Sequence, residues 1–389
     1  MGDAGLDGGR TDAGSDAGID GGVDAGVEPD AGRPDAGQDG GPDAGIFDAG
    51  SDAGPDAGAL EPDAGGPMCP PVIADQICPY TLAIDQANVY FLDFWNDLMP
   101  GSVMSVPLAG GSPAALAVLP IEGPLGFADI AASDGTVCWA DVGPQSGNID
   151  AGTVTTVADD GGDLTPIASG ILTPTAVAID STHIYWANGW TAAFSPTGSV
   201  WRALRDGGSP EQLAASQNYP SAIALDDTSV YWANSGTGTD PDTDGSIMRL
   251  LLDGGTPTAL ATGQSYPTAI TVANGVVYWT DLGTEAARYA DGTVKAIDLT
   301  SGQVTTLAVN EPGAGPIAVN SVGIYWEDTY GGDDQVRRLS FDAGSLDTLA
   351  DGGWFYGIAA NDQCVYFVNR GSSINATGCA GGMIESLPK

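Results

Sequence analysis

The sequence predicts an all-β fold, a seven-bladed β-propeller with four-stranded blades, and three observations predict it. One pentapeptide recurs seven times at near-constant spacing. Each repeat holds four short runs of β-forming residues between Gly- and Asp-rich turns. The last repeat lacks its fourth run, and a matching run stands ahead of the first.

The pentapeptide is VYFLD at 89–93, VCWAD at 137–141, IYWAN at 184–188, VYWAN at 230–234, VYWTD at 277–281, IYWED at 324–328 and VYFVN at 365–369. Its second residue falls at 90, 138, 185, 231, 278, 325 and 366, a mean interval of 46. Seven such units fill 322 residues, which is what lies beyond residue 67 of the 389. A period near 40–45 residues with four strands per unit means propeller blades rather than a sandwich.

Within a unit, strand a is an apolar run such as Ala222-Ile223-Ala224-Leu225. A short turn rich in Asp, Asn, Gly and Ser leads to strand b, the pentapeptide. A long variable loop follows. Strand c opens with Gly-Ser/Thr-Val/Ile, as at Gly198-Ser199-Val200, and an Asp-Gly-Gly turn leads to strand d, as at Ala259-Leu260-Ala261. Short β-branched and aromatic runs between such turns are the strand signal.

Strand b is apolar on both faces, as expected where a blade lies between two neighbours. Trp139, Trp186, Trp232, Trp279 and Trp326 hold one repeated position, with Phe91 and Phe367 at the ends of the series. Full burial of such a ring is worth roughly 4–6 kcal/mol at most, so these residues read as packing between blades, not as a binding surface. The seventh unit ends with strand c near Met383–Leu387. Its missing strand is assigned to Val72-Ile73-Ala74-Asp75, so the ring is expected to close by pairing 72–75 with 383–387 and to hide its sheet edge.

Residues 1–66 are a different material. They repeat Asp-Ala-Gly and carry 16 acids against 2 arginines. A segment so poor in apolar side chains cannot offset the entropy of ordering, and it reads as a disordered acidic spacer ahead of a propeller at 67–389. Loose calcium binding by the repeated Asp is the rival reading. The whole chain has a net charge of −40. Such a field repels nucleic acid and anionic lipid, and no run of 18 apolar residues is present to span a membrane. A protein or a small polar or cationic ligand is the expected partner, and a monomer the expected state. Met1-Gly2-Asp3-Ala4-Gly5 has neither the basic nor the apolar stretch of a secretion signal. The expectation is a signal lost upstream and a location outside the cell or in its outer envelope.

VYWTD at 277–281 carries the Tyr-Trp-Thr-Asp signature, so the chain resembles the propellers of lipoprotein-receptor ectodomains over about 320 residues. Those have six blades and flanking disulfide-rich modules; this chain has seven units and no such modules. It is more similar to secreted or lipoprotein propellers of soil bacteria, especially myxobacteria, with Asp-Ala-Gly linkers and no assigned activity. That resemblance implies a binding or scaffold protein of the cell envelope. It also implies a structural role for Asp93, Asp141, Asn188, Asn234, Asp281, Asp328 and Asn369 at the strand ends.

Of the five cysteines, Cys138 takes a Tyr position and reads as a buried free thiol. The other four cluster where the ring closes, consistent with an oxidising compartment. Cys69–Cys364 with Cys78–Cys379 would staple the chain ends; Cys69–Cys78 with Cys364–Cys379 is the local alternative.

The b–c and d–a connections share one face, and the variable loops put the candidate binding residues there. They are Trp95, Trp190, Phe194, Tyr289 and Tyr330 in b–c loops, and Trp354 and Tyr356 in d–a connections. Tyr80 lies in a d–a connection too, while Tyr219 and Tyr266, which recur before a proline, read as covers for inner strand ends. Asp240-x-Asp242-x-Asp244-Gly245 has the alternation of a calcium loop but lacks an acid at its ninth or twelfth place, where Met248 and Leu251 stand. A solvated acidic loop is the other reading. The one histidine, His183, sits in an a–b turn, and Asp129 is the one carboxylate near an inner strand start. No nucleophile system builds around them. A non-enzymatic binding or scaffold module is therefore the leading expectation, ahead of a lyase or hydrolase at the channel mouth and of a coat or adhesion protein.

Overall fold

A computed structural model describes residues 69–75, 77–93, 101–119, 125–144, 151–189, 197–238, 243–330, 334–371, 373–375 and 378–389. The chain falls into two units, Met1–Glu61 and Pro62–Lys389. The first, and with it the spacer expected at 1–66, lies outside the described residues.

Seven four-stranded antiparallel sheets follow one another along the second unit. Strands a to d run Pro79–Ile84, Asn88–Asp93, Ser102–Pro107 and Ala114–Val118 in blade 1, and Leu125–Ser133, Thr136–Pro144, Gly152–Ala158 and Thr165–Ile171 in blade 2. Blade 3 runs Pro174–Ile179, His183–Asn188, Thr197–Leu204 and Glu211–Asn218; blade 4 runs Pro220–Leu225, Ser229–Asn234, Gly245–Leu251 and Thr258–Gln264. Blade 5 has Pro267–Ala273, Val276–Asp281, Thr293–Asp298 and Val304–Val309; blade 6 has Ala314–Val319, Gly323–Asp328, Asp334–Ser340 and Leu346–Gly353. Blade 7 takes Phe355–Ala360, Cys364–Asn369 and Met383–Pro388 from the end of the chain and Val72–Asp75 from its beginning. The pairing register is Val72↔Glu385, Ala74↔Ile384 and Asp75↔Met383, so the ring closes as the sequence predicts. Strand c of blade 7 is thereby paired on both sides, and the outer edge that remains is the four-residue strand Val72–Asp75.

Closure is covalent as well. Cys69 bonds Cys364 and Cys78 bonds Cys379, with Cα separations of 5.8 and 5.3 Å. Cys379 is held on a two-stranded hairpin, Ser373–Asn375 with Gly378–Ala380, inserted in the b–c loop of blade 7. Cys138 is free and buried.

The core lies between blades. Trp139, Trp186, Trp232, Trp279 and Trp326 are at most 1% exposed, and Phe91 and Phe367 are fully buried. Each Trp packs on the blade before it: Trp232 joins Tyr185, Ala187 and Val200 of blade 3, and Trp279 joins Tyr231, Ala233 and Ile247 of blade 4. Strand b therefore has no solvent face, which is why its sequence does not alternate. In blades 1, 3 and 4 the Tyr of strand b is tied to the preceding turn. Asp180 Oδ1 accepts the amides of Thr182 and His183, both at 2.7 Å, and Oδ2 accepts the Tyr185 hydroxyl at 2.9 Å. Asp85 with Tyr90 and Asp226 with Tyr231 repeat the arrangement.

Candidate binding face

Strand a of every blade carries one extra residue near its start, a β-bulge, as between Pro174 and Ala176, Pro220 and Ala222, and Pro267 and Ala269. A bulge re-aims a side chain. In blades 3 to 5 the freed residue is hydroxylic and stitches its blade to the next. Thr175 Oγ1 donates to the Pro220 carbonyl at 2.7 Å, Ser221 Oγ to Pro267 at 2.9 Å and Thr268 Oγ1 to Ala314 at 3.0 Å.

The stitch changes character where the ring closes. At the corresponding place blade 7 has Tyr356 and blade 1 has Tyr80, with ring centroids 5.8 Å apart. The Arg370 guanidinium sits 5.1 Å from the Tyr356 ring and 5.8 Å from the Tyr80 ring. Arg370 follows strand b of blade 7, and its amide donates to the Trp354 carbonyl at 2.9 Å. It is 9% exposed, and its Nε has no partner among the described residues. No ion pair to it is found among them either. Cation–π contact with two rings offsets part of the cost of burying this charge. Burial first, then the neighbouring Tyr356 charge, raises the Tyr80 hydroxyl's pKa against the pull of Arg370, so it stays protonated at neutral pH.

Tyr80 and Tyr356 line the central channel, a cavity of about 280 Å³ to which all seven blades contribute a strand a. Its wall is mostly Ala, Ile, Thr and Ser. Asp129 is the carboxylate there, standing where blades 3 to 5 have Ala176, Ala222 and Ala269. Its oxygens accept the amides of Ile130 at 2.9 Å and Val177 at 3.1 Å. Burial pushes its carboxyl up to about 7 against those two bonds.

Several sequence-predicted residues are placed more closely by the structure. Tyr356 and Tyr80 lie on strand a itself rather than in d–a connections. Trp354 is at a repeated corner: its carbonyl takes the amide that Tyr219 takes from Ser235 and Tyr266 takes from Leu282. Unlike a covered corner ring it is 39% exposed, and Tyr356 is 40% exposed. Gly313 stands at this corner in blade 6, with φ of +66°, and a Cβ there would strike Tyr330. Tyr330 fills that space from the b–c loop, 46% exposed and edge-on to Tyr289 at 5.3 Å. Trp95, Trp190 and Phe194 lie outside the described residues, as do Asp240 and Asp242. Asp244 is engaged structurally: Thr237 donates its amide at 3.1 Å and its hydroxyl at 2.7 Å. Thr284 makes the same clamp on Asp291 in blade 5, at 2.7 and 2.8 Å.

The strand-end Asp and Asn are structural, though not always through backbone amides. Asp93 accepts the Cys78 amide and Asp141 that of Gly143. Asp281 instead holds Lys295 at 2.6 Å, and Asn234 bonds Gln217 and Ser246. Sequence reasoning missed Arg370. Its signal was positional, since it follows the pentapeptide where the other blades carry no cation.

No protein-family model matches the chain, and no curated protein does. Solved structures share its fold. The β-propeller domain of the trilobed protease from Pyrococcus furiosus is 9% identical, with a TM-score of 0.54 over 80% of this chain and 95% of that one. The acylaminoacyl peptidase of Pyrococcus horikoshii is 8% identical, with a TM-score of 0.55 over 80% of this chain and 52% of that one. A chain of a nidogen/laminin complex is 21% identical over 59% of this chain and 80% of its own, with a TM-score of 0.44. At such identities the likeness is one of fold.

Proposed function

We propose that the chain is a non-enzymatic binding module, working outside the cell or in its outer envelope through the face that carries the b–c and d–a connections. The observation that carries this is the closure sector: Tyr80, Tyr356 and Trp354 gathered around Arg370, a buried cation without a carboxylate partner among the described residues. Trp, Tyr and Arg are the side chains from which binding hot spots are built. In a molecule of charge −40, a cation at the channel mouth favours a protein segment or small polar ligand that offers an acceptor to Arg370 and lays its apolar part on the rings. A cationic ligand fits this sector less well. The two disulfides support an oxidising location, and the Asp-Ala-Gly segment would act as a spacer.

The test is retention of partners from envelope extract by the immobilised full chain. Trp354→Ser with Tyr356→Ser is expected to cut retention about tenfold, as loss of an aromatic anchor does. Phe341→Ser, an exposed ring in the c–d turn of blade 6 on the other face, is expected to leave it unchanged. Equal retention by both variants defeats the proposal.

A further inference from the structure

Blades 3 to 6 each bury a Trp indole N–H at the junction with the blade before, and three of the four junctions supply its acceptor in one way. The residue fifteen positions earlier, at the end of strand d of the preceding blade or, for Glu311, two residues past it, reaches in. Trp232 Nε1 donates to Gln217 Oε1 at 2.9 Å, Trp279 Nε1 to Gln264 Oε1 at 3.2 Å and Trp326 Nε1 to Glu311 Oε2 at 3.1 Å. At the junction of blades 2 and 3 that position is Ile171, which offers no acceptor. Trp186 is 1% exposed, and its Nε1 has no partner among the described residues. A buried donor left unpaired costs about 1–3 kcal/mol.

A cavity opens at this same junction. It has about 500 Å³ and is lined by Ile171, Trp186, Asn188 and Trp201, with Pro166 and Pro210. Trp201 faces Trp186 across the strand pair, the rings 10° from parallel and 6.4 Å between centroids. Its own N–H is taken by Ser199 Oγ at 2.8 Å. The next junction shows what the cavity is shaped to receive. There Gln217 Oε1 accepts from both Trp232 Nε1 and Asn234 Nδ2, the latter at 3.1 Å. Asn188, the counterpart of Asn234, has only a long 3.5 Å contact from Nδ2 to Ser199 Oγ. Trp186 Nε1, unpaired but without accessible surface, and the weakly held Asn188 Nδ2 therefore stand where an amide oxygen sits one blade on, and a ligand oxygen reaches them only if the Ile171 side chain, in the place of that Gln, gives way.

The charge of the missing group follows from its neighbours. Where the acceptor is the carboxylate Glu311, Arg337 stands 3.8 Å away on strand c. Lys295 holds that strand-c place beside Gln264. At blade 3 the strand-c residue is Trp201, and no cation lines the cavity among the described residues. We propose that the cleft between blades 2 and 3 binds the carboxamide of a ligand with a flat apolar body. The carbonyl oxygen accepts from Trp186 Nε1 and Asn188 Nδ2, and the body lies against Trp201 and the two prolines. A free aromatic amide and the side-chain amide of a peptide Gln share this chemistry. The size suits a small-ligand site, and the cleft shares no lining residue with the closure sector around Arg370, so either can fail alone.

The full chain, with ¹⁵N-labelled tryptophan, is titrated with benzamide, with benzoate and with N-acetylglutamine methylamide. The Trp186 indole resonance, assigned by its loss in Trp186→Phe, is expected to move saturably with benzamide, with the glutamine derivative or with both. Movement with benzamide alone assigns the site to free amides; movement with the glutamine derivative alone assigns it to peptide side chains. Benzoate, whose charge would be buried with no cation among the described lining residues, is expected to bind about tenfold more weakly. Ile171→Gln supplies the acceptor from within and is expected to weaken binding by about the same factor or more. Trp186→Phe, with the ring that Phe91 and Phe367 place here in blades 1 and 7, is expected to weaken it too, read from the Trp201 resonance. No saturable shift with either amide, benzoate binding as tight as benzamide, or unchanged binding in both variants overturns the proposal.

Discussion

Blades 3 to 5 are near copies, whereas blades 2, 6 and 7 depart from them, and the departures are where chemistry is left over. In the regular sector the repeat supplies standing partners, as blade 4 shows: Asp with Tyr at the a–b turn, a hydroxyl stitch at the bulge, Gln with Trp at the junction. Where the repeat is broken, a group is stranded. Asp129 replaces Ala and faces the channel; Ile171 replaces Gln and orphans Trp186; Tyr356 and Tyr80 replace a hydroxyl stitch and hold Arg370. Glu327, at the place of Ala187 and Ala233, is fully buried with one oxygen on the Gly357 amide at 3.0 Å and the other unpaired. Burial raises its carboxyl well above the usual range. A repeat thus supplies its own control, since the same strand position elsewhere shows what a substitution has removed.

The largest expected difference lies in blade 7, the one blade made from both ends of the chain. Its neighbours are held to each other by continuous chain, while its outer strand is four residues, Val72–Asp75. The Cys69–Cys364 bond closes a loop with a sequence separation of 295. With Cys78–Cys379 intact, this bond adds a ring made of residues 69–78 and 364–379 only, and a cross-link of that size stabilises by restricting the unfolded chain, typically by about 2–4 kcal/mol. Cys69→Ala with Cys364→Ala is expected to lower unfolding stability by that amount in urea. If the variant unfolds at the wild-type midpoint, strand pairing and packing alone hold the closure.

A smaller difference separates blade 2 from blades 3 to 5 at the inner wall. The Asp129 carboxyl rises from 3.8 to about 7, through burial first. Between those values the native state keeps a proton that the unfolded chain gives up. Stability is therefore expected to fall as pH rises from about 4 to about 7 and then to level off. Asp328, also raised to about 7 by burial and by Glu311 beside it, contributes in the same window. Melting temperatures of wild type and Asp129→Asn across pH 4.5–8 measure the share of Asp129. The variant's slope is expected to be shallower; identical slopes would assign the titration elsewhere.

How much of this was legible in the sequence follows from the same contrast. Features that recur were readable from one chain: seven Trp or Phe positions at near-constant intervals fix the ring, and the shortfall of one strand at the end predicts its donor at 72–75. The staple was readable as one of two options because strand order places Cys78 and Cys379 at one end of the blade. Departures were harder, because a deviation has meaning only once the position is known. Ile171 is an ordinary apolar residue until Gln217, Gln264 and Glu311 are aligned fifteen residues before their tryptophans. Tyr356 looked like part of a loop because the bulge at the start of strand a is invisible to an apolar-run reading. Asp129 was noticed as a carboxylate near an inner strand, but its pairing with the Val177 amide of the next blade comes only with the ring assembled.

The finest contrast lies inside strand b. Tyr231 in blade 4 and Tyr278 in blade 5 hold the same place in the pentapeptide, but their turns differ. Blade 4 turns through Asp226, whose Oδ2 accepts the Tyr231 hydroxyl at 2.7 Å while Oδ1 accepts the amides of Thr228 and Ser229. Those bonds hold the Asp226 carboxyl below its ordinary range despite partial burial. Blade 5 turns through Asn274 and Gly275, with φ of +52° and +75°, a tighter turn with no acid. The Tyr278 ring packs 6.5 Å from Phe341, and its hydroxyl has no hydrogen bond among the described residues. Tyr231→Phe removes a bond to a charged acceptor and is expected to cost about 1.5–3 kcal/mol. Tyr278→Phe, losing nothing of the kind, is expected to change stability by less than about 0.5 kcal/mol. Urea midpoints of the two variants decide it. Equal losses would mean that the tyrosines of this repeat are kept for the shape of their rings, and that the Asp–Tyr tie adds nothing to the packing.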